Sequence, residues 1–316
     1  MISGVPQGSV LGPTLFLLYI NDVSTIFQNL AVTCKLYADD IKLYSCYSTN
    51  CRSVNDLSDA IERLSAWSQT WQLHLAANKC FVFAVKNPKI YPSDHTYTLT
   101  NNYLSNVNLI RDLGVTVDSN LKFDKHISLI VHKALVRCRL ILKCFHSRDR
   151  LLLVKAFCTY VRPLLEYCCT VWSPHYHYLT DKIEGVQRFF TKLLAGLANE
   201  PYHIRLLLLN LESLEYRRLT QDLVLCYKMH HRLVDTELCD ALPRPVCTIT
   251  RGHSFRLHKV SCSIDATKYF FTNRIHDIWN ELPGSVVDSE SVAVFKKRLR
   301  SVDISARLRY PSFISV

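Results

Sequence analysis

No apolar run in this chain approaches the roughly 18 residues that a membrane-crossing helix needs. The best candidate, VLGPTLFLLYI at 10–20, contains Gly12 and Pro13. It has no basic stretch before it and no small-residue cleavage site after it, so it does not read as a secretion signal. Paired cysteine motifs are missing too: there are 13 cysteines, an odd number, and none stand in C-x-x-C spacing. Reduced thiols in an intracellular, non-secreted protein fit that pattern better than a disulfide framework. Glycine is scarce, at 8 in 316 residues, while hydrophobic residues make up 48%. Those numbers exclude a disordered or low-complexity chain and allow a real core, in about two domains by length.

Acidic residues are the scarcer charge, 27 against 38 basic, for a net +11. The imbalance is local. Residues 1–125 hold 10 basic and 10 acidic side chains, residues 126–200 hold 11 and 5, and residues 201–316 hold 17 and 12. Such a balance favours a polyanionic partner, with nucleic acid ahead of a membrane surface.

What is present follows a definite order. GVPQGSVLGP (4–13) has three Gly and two Pro in ten residues, which makes it a loop. Pro13 suits the first turn of a helix over TLFLLYIND. CKLYADDIKLYSCY (34–47) reads as a β-hairpin around an acidic turn. Residues 54–75 place apolar side chains at 57, 61, 64, 67 and 71, a helical step, with Ser53 or Asn55 as the expected cap. KCFVFAV (79–85) reads as a strand and IRDLGVTVDSNL (110–121) as a second hairpin. From His126 to about Leu197 the pattern is helical, broken at Pro163 and Pro174 into three or four helices. Residues 209–234 form another long helix, ALPRPV (241–246) a linker, and 247–316 a mixture of short strand-like and helical pieces.

Within the first hairpin, Asp39 and Asp40 are adjacent carboxylates. Like charges side by side need something to hold them, and a divalent metal is the obvious candidate; the alternative is a polar β-turn, which Asp also favours. Segment 132–162 carries Lys133, Arg137, Arg139, Lys143, Arg148, Arg150, Lys155 and Arg162 against one acid, Asp149. It is either a face that tracks phosphates or a solvated basic surface. Cys247, His253, His258 and Cys262 are zinc-type residues, but their C-x5-H-x4-H-x3-C spacing matches no standard finger.

The ordered set resembles the palm of reverse transcriptases, specifically those of non-LTR (LINE-type) retrotransposons. SGVPQGSVLGPTLFLLYIND (3–22) looks like motif B, LYADD (36–40) like motif C, and LSAWSQTWQLHLAANKC (64–80) like motif D. DLGVTVDSNLKFDKHI (112–127) looks like the primer grip and its exit into the thumb. RPLLEYCCTVWSPHY (162–176) and FTNRIHDIWNELP (271–283) continue the likeness.

The resemblance implies a helix-rich α+β fold. A partial polymerase palm over 1–125 would precede a helical thumb and connection over 126–240 and a mixed C-terminal region over 241–316. Asp39 would be a direct ligand of Mg²⁺, or of Mn²⁺, and Asp40 a second or outer carboxylate. Gln7 would position the templating base, and Gly8 would allow close backbone approach. Pro6 and Tyr37 would join them around template and nucleotide. Lys79 would protonate the departing pyrophosphate, its alternative being a surface lysine. Lys133, Arg137, Lys143, Arg148 and Lys155 would grip the backbone of an RNA template and DNA primer duplex. Deoxynucleoside triphosphates would be the substrates.

In such enzymes motif A, with a further catalytic Asp, precedes motif B, and the fingers precede motif A. Neither is found in these 316 residues, and Asp22, Asp56 and Asp59 lie on the wrong elements to substitute. The expectation is therefore a C-terminal piece of a reverse transcriptase, holding metal weakly and inactive alone. Two rivals remain: a non-catalytic nucleic-acid-binding protein that keeps the basic helical half, and an inert product of a decayed element.

Overall fold

The computed structural model describes residues 8–46, 52–85, 96–240, 242 and 253–310. The chain forms two compact units, Met1–Ile110 and Arg111–Val316.

The first unit starts with helix α1 (Gly12–Ile20), which has Pro13 in its first turn, as the sequence suggests. Ser9 Oγ accepts a hydrogen bond from Gly12 N at 3.1 Å and holds the entry to the helix. A 3₁₀ turn (Asn21–Phe27) leads into strands β1 (Thr33–Tyr37) and β2 (Asp40–Tyr44), which pair antiparallel. Helix α2 (Arg52–Thr70) lies across them. Alternation puts Cys34, Leu36, Ile41 and Leu43 on one face of the hairpin. They pack on Ile20, Val23, Phe27, Ala60, Leu64 and Trp67. The unit closes with β3 (Phe81–Phe83), β4 (Thr98–Leu99), β5 (Asn102–Tyr103) and β6 (Ser105–Val107).

Several expectations are corrected here. Helix α2 already begins at Arg52, so Ser53 and Asn55 are helical residues rather than caps. The strand expected over 79–85 shrinks to three residues, because Ala77–Lys79 forms a 3₁₀ turn. Its partner is β6, in parallel, a pairing that local alternation does not reveal.

The second unit is entered through β7 (Leu109–Asp112), which pairs with β8 (Val115–Asp118). The hairpin expected at 110–121 is present. Asp118 then accepts hydrogen bonds from the backbone N–H of Asn120, Lys122 and Phe123, the last at 2.7 Å. That turn launches α3 (Asp124–Cys144). Next come α4 (Arg150–Tyr160), α5 (Arg162–Glu166), α6 (Cys169–Trp172), α7 (His177–Lys192), α8 (Tyr202–Leu209) and α9 (Leu214–His230).

Five helices, not three or four, thus occupy 124–192. Pro163 does not break a helix but sits in the first turn of α5, where its missing N–H costs nothing. The gap at 145–149 contains no proline. The helix expected over 209–234 starts only at Leu214. Asn210, at φ +50°, terminates α8, and Ser213 Oγ caps α9 by accepting from Tyr216 N.

The tail adds α10 (Glu237–Asp240), α11 (Asp265–Lys268), α12 (Phe271–Glu281), α13 (Gly284–Val287) and α14 (Val292–Arg300). Among the described residues of 253–310 there is no strand, against the expected mixture. Most of the linker expected at 241–246 lies outside the described residues. Leu242, however, is 3% exposed and belongs to a core with Tyr227, Trp279 and Phe295. A second core joins α3 to α8 around the stacked rings of Phe157 and Phe190. Helix α9 contributes to both, through Leu214 at its start and Leu223 to Met229 further along.

His126, on α3, is 2% exposed. Its Nδ1 accepts a hydrogen bond from Thr116 N at 3.2 Å, and its ring meets Trp172 edge-on. Burial, helped by the charge of Lys133, lowers its pKa to about 4 from the usual 6.5. The unfolded chain therefore binds this proton first. The stability that rests on a neutral His126 is complete above pH 6.5 and drains away as pH falls toward 4. At pH 5 the loss is about 2 kcal/mol relative to pH 7. Urea unfolding at the two pH values should show it, and His126→Gln should flatten the dependence. An equal pH response in the variant would remove His126 from the account.

Candidate functional site

The hairpin explains how Asp39 and Asp40 are presented. Tyr37 pairs with Asp40 across the strands, leaving a two-residue turn of Ala38 and Asp39. Ala38 has φ +50°, in the left-handed region. A side chain there costs on the order of 1 kcal/mol, so the turn is held against strain by the strands on either side. Asp39 and Asp40 are both exposed. The solvent-facing side of the hairpin carries Lys35, Tyr37, Asp40 and Lys42, with Lys35 opposite Lys42. The apolar residues face the other way, so the tip is a polar surface standing on an apolar base.

The two carboxylates offer hard oxygen donors of the kind Mg²⁺ takes. Among the described residues, no third His, Cys, Asp or Glu joins them in a metal-sized group. Asp22 instead accepts a hydrogen bond from Trp67 Nε1 at 3.2 Å, and Asp56 accepts from Ala31 N. The pair fits one side of a hydrated cation site, not a closed cage.

Gly8 has φ +81° and no atom within 4 Å of where a Cβ would stand. Conformation, not crowding by its own chain, is what calls for glycine. Pro6 and Gln7 lie outside the described residues. Lys79 is exposed at the end of its 3₁₀ turn. Helix α1 is exposed along most of its length: Leu15, Leu17 and Leu18 are 49%, 52% and 71% accessible, and Val10 and Leu11 just before it are exposed too.

In the second unit, Lys133, Arg137, Lys143, Arg148 and Lys155 are all exposed. Lys133 and Arg137 share a face of α3, while Lys143 is turned about 80° from Lys133. Arg137 donates to Tyr160 O, Arg148 to Leu142 O and Arg150 to Ala195 O. These bonds use carbonyls at or beyond helix ends, which helices leave unsatisfied. Lys133, Lys143 and Lys155 are left as the less engaged charges.

Of the zinc-type quartet, Cys247 lies outside the described residues. His253 is buried, with Nε2 3.0 Å from Trp279 O, while His258 is exposed. Cys262 Sγ accepts from Asn273 Nδ2. These are packing roles.

Sequence reasoning also missed a buried polar network between helices. Glu184, fully buried, accepts from Leu214 N, Glu215 N and Tyr202 Oη. It holds the N-terminus of α9, where a carboxylate meets the positive end of the helix.

Residues 2–117 match the family of reverse transcriptases (RNA-dependent DNA polymerases). An uncharacterized protein of Caenorhabditis elegans is 31% identical over 133 residues, 41% of this chain and 65% of that protein. The RNA-directed DNA polymerase of the mobile element jockey of Drosophila funebris is 28% identical over 216 residues, 64% of this chain. A probable RNA-directed DNA polymerase of the transposon X-element of Drosophila melanogaster is 27% identical over 211 residues, 61% of this chain. The chain spans 65% of the first relative and only 22% of each of the two polymerases. No solved structure matches it. Residues 2–117, which hold the Asp39–Asp40 hairpin, thus match a reverse transcriptase domain, in a chain similar to the polymerases of mobile elements.

Proposed function

We propose that this chain is part of the RNA-directed DNA polymerase of a non-LTR retrotransposon, comprising motifs B to E of the palm, a helical thumb and a C-terminal region. The observation that carries the reading is the hairpin tip: two adjacent exposed carboxylates, one in a strained two-residue turn and one opening the next strand, inside the segment that matches reverse transcriptases. Asp39 and Asp40 would hold a divalent cation, Mg²⁺ or Mn²⁺, which supplies charge stabilisation to the transferring phosphoryl group. Tyr37 stands beside Asp40 on the solvent face, and Gly8 keeps a backbone conformation that a side chain would strain. Pro6, Gln7 and Lys79 take the template and pyrophosphate roles that the likeness gives them. Helix α1 exposes more apolar surface than a solvated helix does. That supports a palm completed by further polypeptide packed against it.

The thumb reading begins at 126 and rests on the basic excess of the second unit. The whole chain should bind an RNA–DNA duplex without strong sequence preference, because phosphate contacts position but do not specify. If about four side chains reach phosphates, the log–log salt slope is roughly −4. Lys133, Lys143 and Lys155 are exposed, with no partner among the described residues. Changing all three to Glu should cut the slope by about three and weaken binding on every sequence. Fluorescence anisotropy of a labelled duplex from 50 to 300 mM salt, a range set by the same principle, measures this. Binding indifferent to the three changes would assign these lysines to plain solvation.

A second reading, a nucleic-acid binder without catalysis, is favoured by one observation: the described residues close no metal cage around Asp39 and Asp40. It predicts the same binding and no extension in any context.

A further inference from the structure

Arg205 on α8 is 4% exposed, and no carboxylate among the described residues pairs with it. Its Nη1 donates to Arg188 O at 2.7 Å and to Thr191 Oγ1 at 2.9 Å. Nε is buried without a partner. Buried arginines are ordinarily matched by an acid, because leaving the charge alone in a poor dielectric is costly. Here one of the charges acting on it is that of another arginine, Arg188. Burial lowers the Arg205 pKa; Tyr202 opposes that shift and Arg188 adds to it.

Arg188, on α7, is in a similar position. Its guanidinium lies 5.4 Å from the Tyr202 ring and 5.1 Å from the Tyr310 ring, with Nη2 donating to Tyr310 Oη and Nε buried without a partner. Tyr202 turns its hydroxyl away to Glu184 and keeps its ring against both arginines, Arg205 being 5.3 Å from it. Ring faces attract the two cations but do not neutralise them. Asp181 is the nearby acid, and it is engaged by Arg309 Nε at 2.7 Å and by Tyr310 Oη at 2.6 Å.

The two arginines and the rings of Tyr202 and Tyr310 line an open cleft of about 740 Å³, together with Lys192 and Glu200. Lys192 is exposed and stands one turn beyond Arg188 on α7. Setting Arg309 against Asp181 and Glu200 against one of the rest leaves Arg188, Lys192 and Arg205 with two positive charges in excess. The rigid forks of arginine suit an oxyanion with several acceptor oxygens. The volume is that of a small-molecule site.

We propose that the cleft between α7 and α8 binds a phosphate group, with Arg188, Arg205 and Lys192 as its cationic wall. The group is either free, as inorganic phosphate or pyrophosphate, or the phosphate of a nucleic-acid strand. The inference does not depend on the Asp39–Asp40 hairpin, nor on Lys133, Lys143 and Lys155.

The test uses the whole chain. Calorimetric titration with inorganic phosphate and with pyrophosphate, against chloride at equal ionic strength, examines the free forms. Anisotropy with a short single strand, with and without a 5′-phosphate, examines the nucleic-acid form. At least one arm should show saturable binding that Lys192→Glu and Arg188→Gln each weaken by about tenfold or more. The triple lysine change on α3 and α4 should leave phosphate and pyrophosphate binding intact. Lys192 is exposed, so its variant keeps the fold, and circular dichroism checks this for both. Binding in the first arm alone identifies a free anion as the ligand, and in the second alone a strand phosphate. No binding in either arm, or binding that both variants leave unchanged, overturns the proposal.

Discussion

The 316-residue chain on its own is expected to show no primer extension on an RNA template, with Mg²⁺ or with Mn²⁺. Asp39 and Asp40 are two exposed carboxylates at a hairpin tip, and the other acids of the first unit are committed or distant. Asp22 is bonded to Trp67, Asp56 to Ala31, and Asp59 and Glu62 lie on α2. Asp94 lies outside the described residues. Charge stabilisation by positioned cations supplies much of the rate of phosphoryl transfer, so an incomplete set of carboxylates should cost several orders of magnitude. A chimera with the upstream polymerase segment of the jockey relative fused ahead of Ser3 should extend a primer, and Asp39→Ala should abolish that extension. Extension by the 316 residues alone, lost in Asp39→Ala, would show that another group completes the site. A folded chimera that binds duplex and never extends would leave the non-catalytic reading standing.

The parts of this fold legible in the sequence are those whose signal is local. The first hairpin shows because Cys34, Leu36, Ile41 and Leu43 alternate with polar residues on both sides of an acidic turn, and all four pack inward. Helix α1 shows because Pro13 follows a glycine-rich loop. The missed elements have partners far along the chain. Strand β6, Ser-Asn-Val, has no strand signature of its own and exists by pairing with β3 more than twenty residues earlier. The start of α9 was misplaced because Leu209 to Leu214 continues an apolar rhythm, while the left-handed Asn210 and the Ser213 cap set the boundary. Proline misled at Pro163, which opens a helix as readily as it ends one.

The basic segment was legible as a charge excess but not as a set of contacts. Arg137, Arg148 and Arg150 also serve carbonyls within their own unit, and nothing in the run of residues distinguishes them from Lys133 or Lys155. The cleft of Arg188 and Arg205 was invisible for the same reason. Seventeen positions separate the two arginines, and Tyr310 reaches Arg188 from a segment more than a hundred residues later.

The largest loss of stability from a single change is expected at Asp222 on α9. Its carboxylate is 2% exposed and receives a two-pronged bond from Arg274 of α12, Nε to Oδ2 at 2.9 Å and Nη2 to Oδ1 at 2.8 Å. Arg274 Nη2 also donates to Thr170 O at 2.6 Å, so one side chain ties α12 to both α9 and α6. Arg218, 2% exposed, adds a second buried cation whose charge acts on Asp222. Burial pushes the Asp222 pKa up, and Arg274 pulls against it. Asp222→Ala strips Arg274 of its acid in a largely buried site, while Arg218 keeps the charge of Glu184. Breaking a buried pair in this way costs about 3–5 kcal/mol, a large part of the roughly 5–15 kcal/mol that holds a domain together. Arg274→Met removes the partner but fills the same space. The double variant should therefore be less destabilised than the two single losses added together, by about 1–3 kcal/mol. Urea unfolding followed by circular dichroism measures all three. A loss under about 1 kcal/mol for Asp222→Ala would place this pair with exposed ion pairs, whose worth is that small. Helices α9 and α12 would then be joined mainly by their shared apolar core.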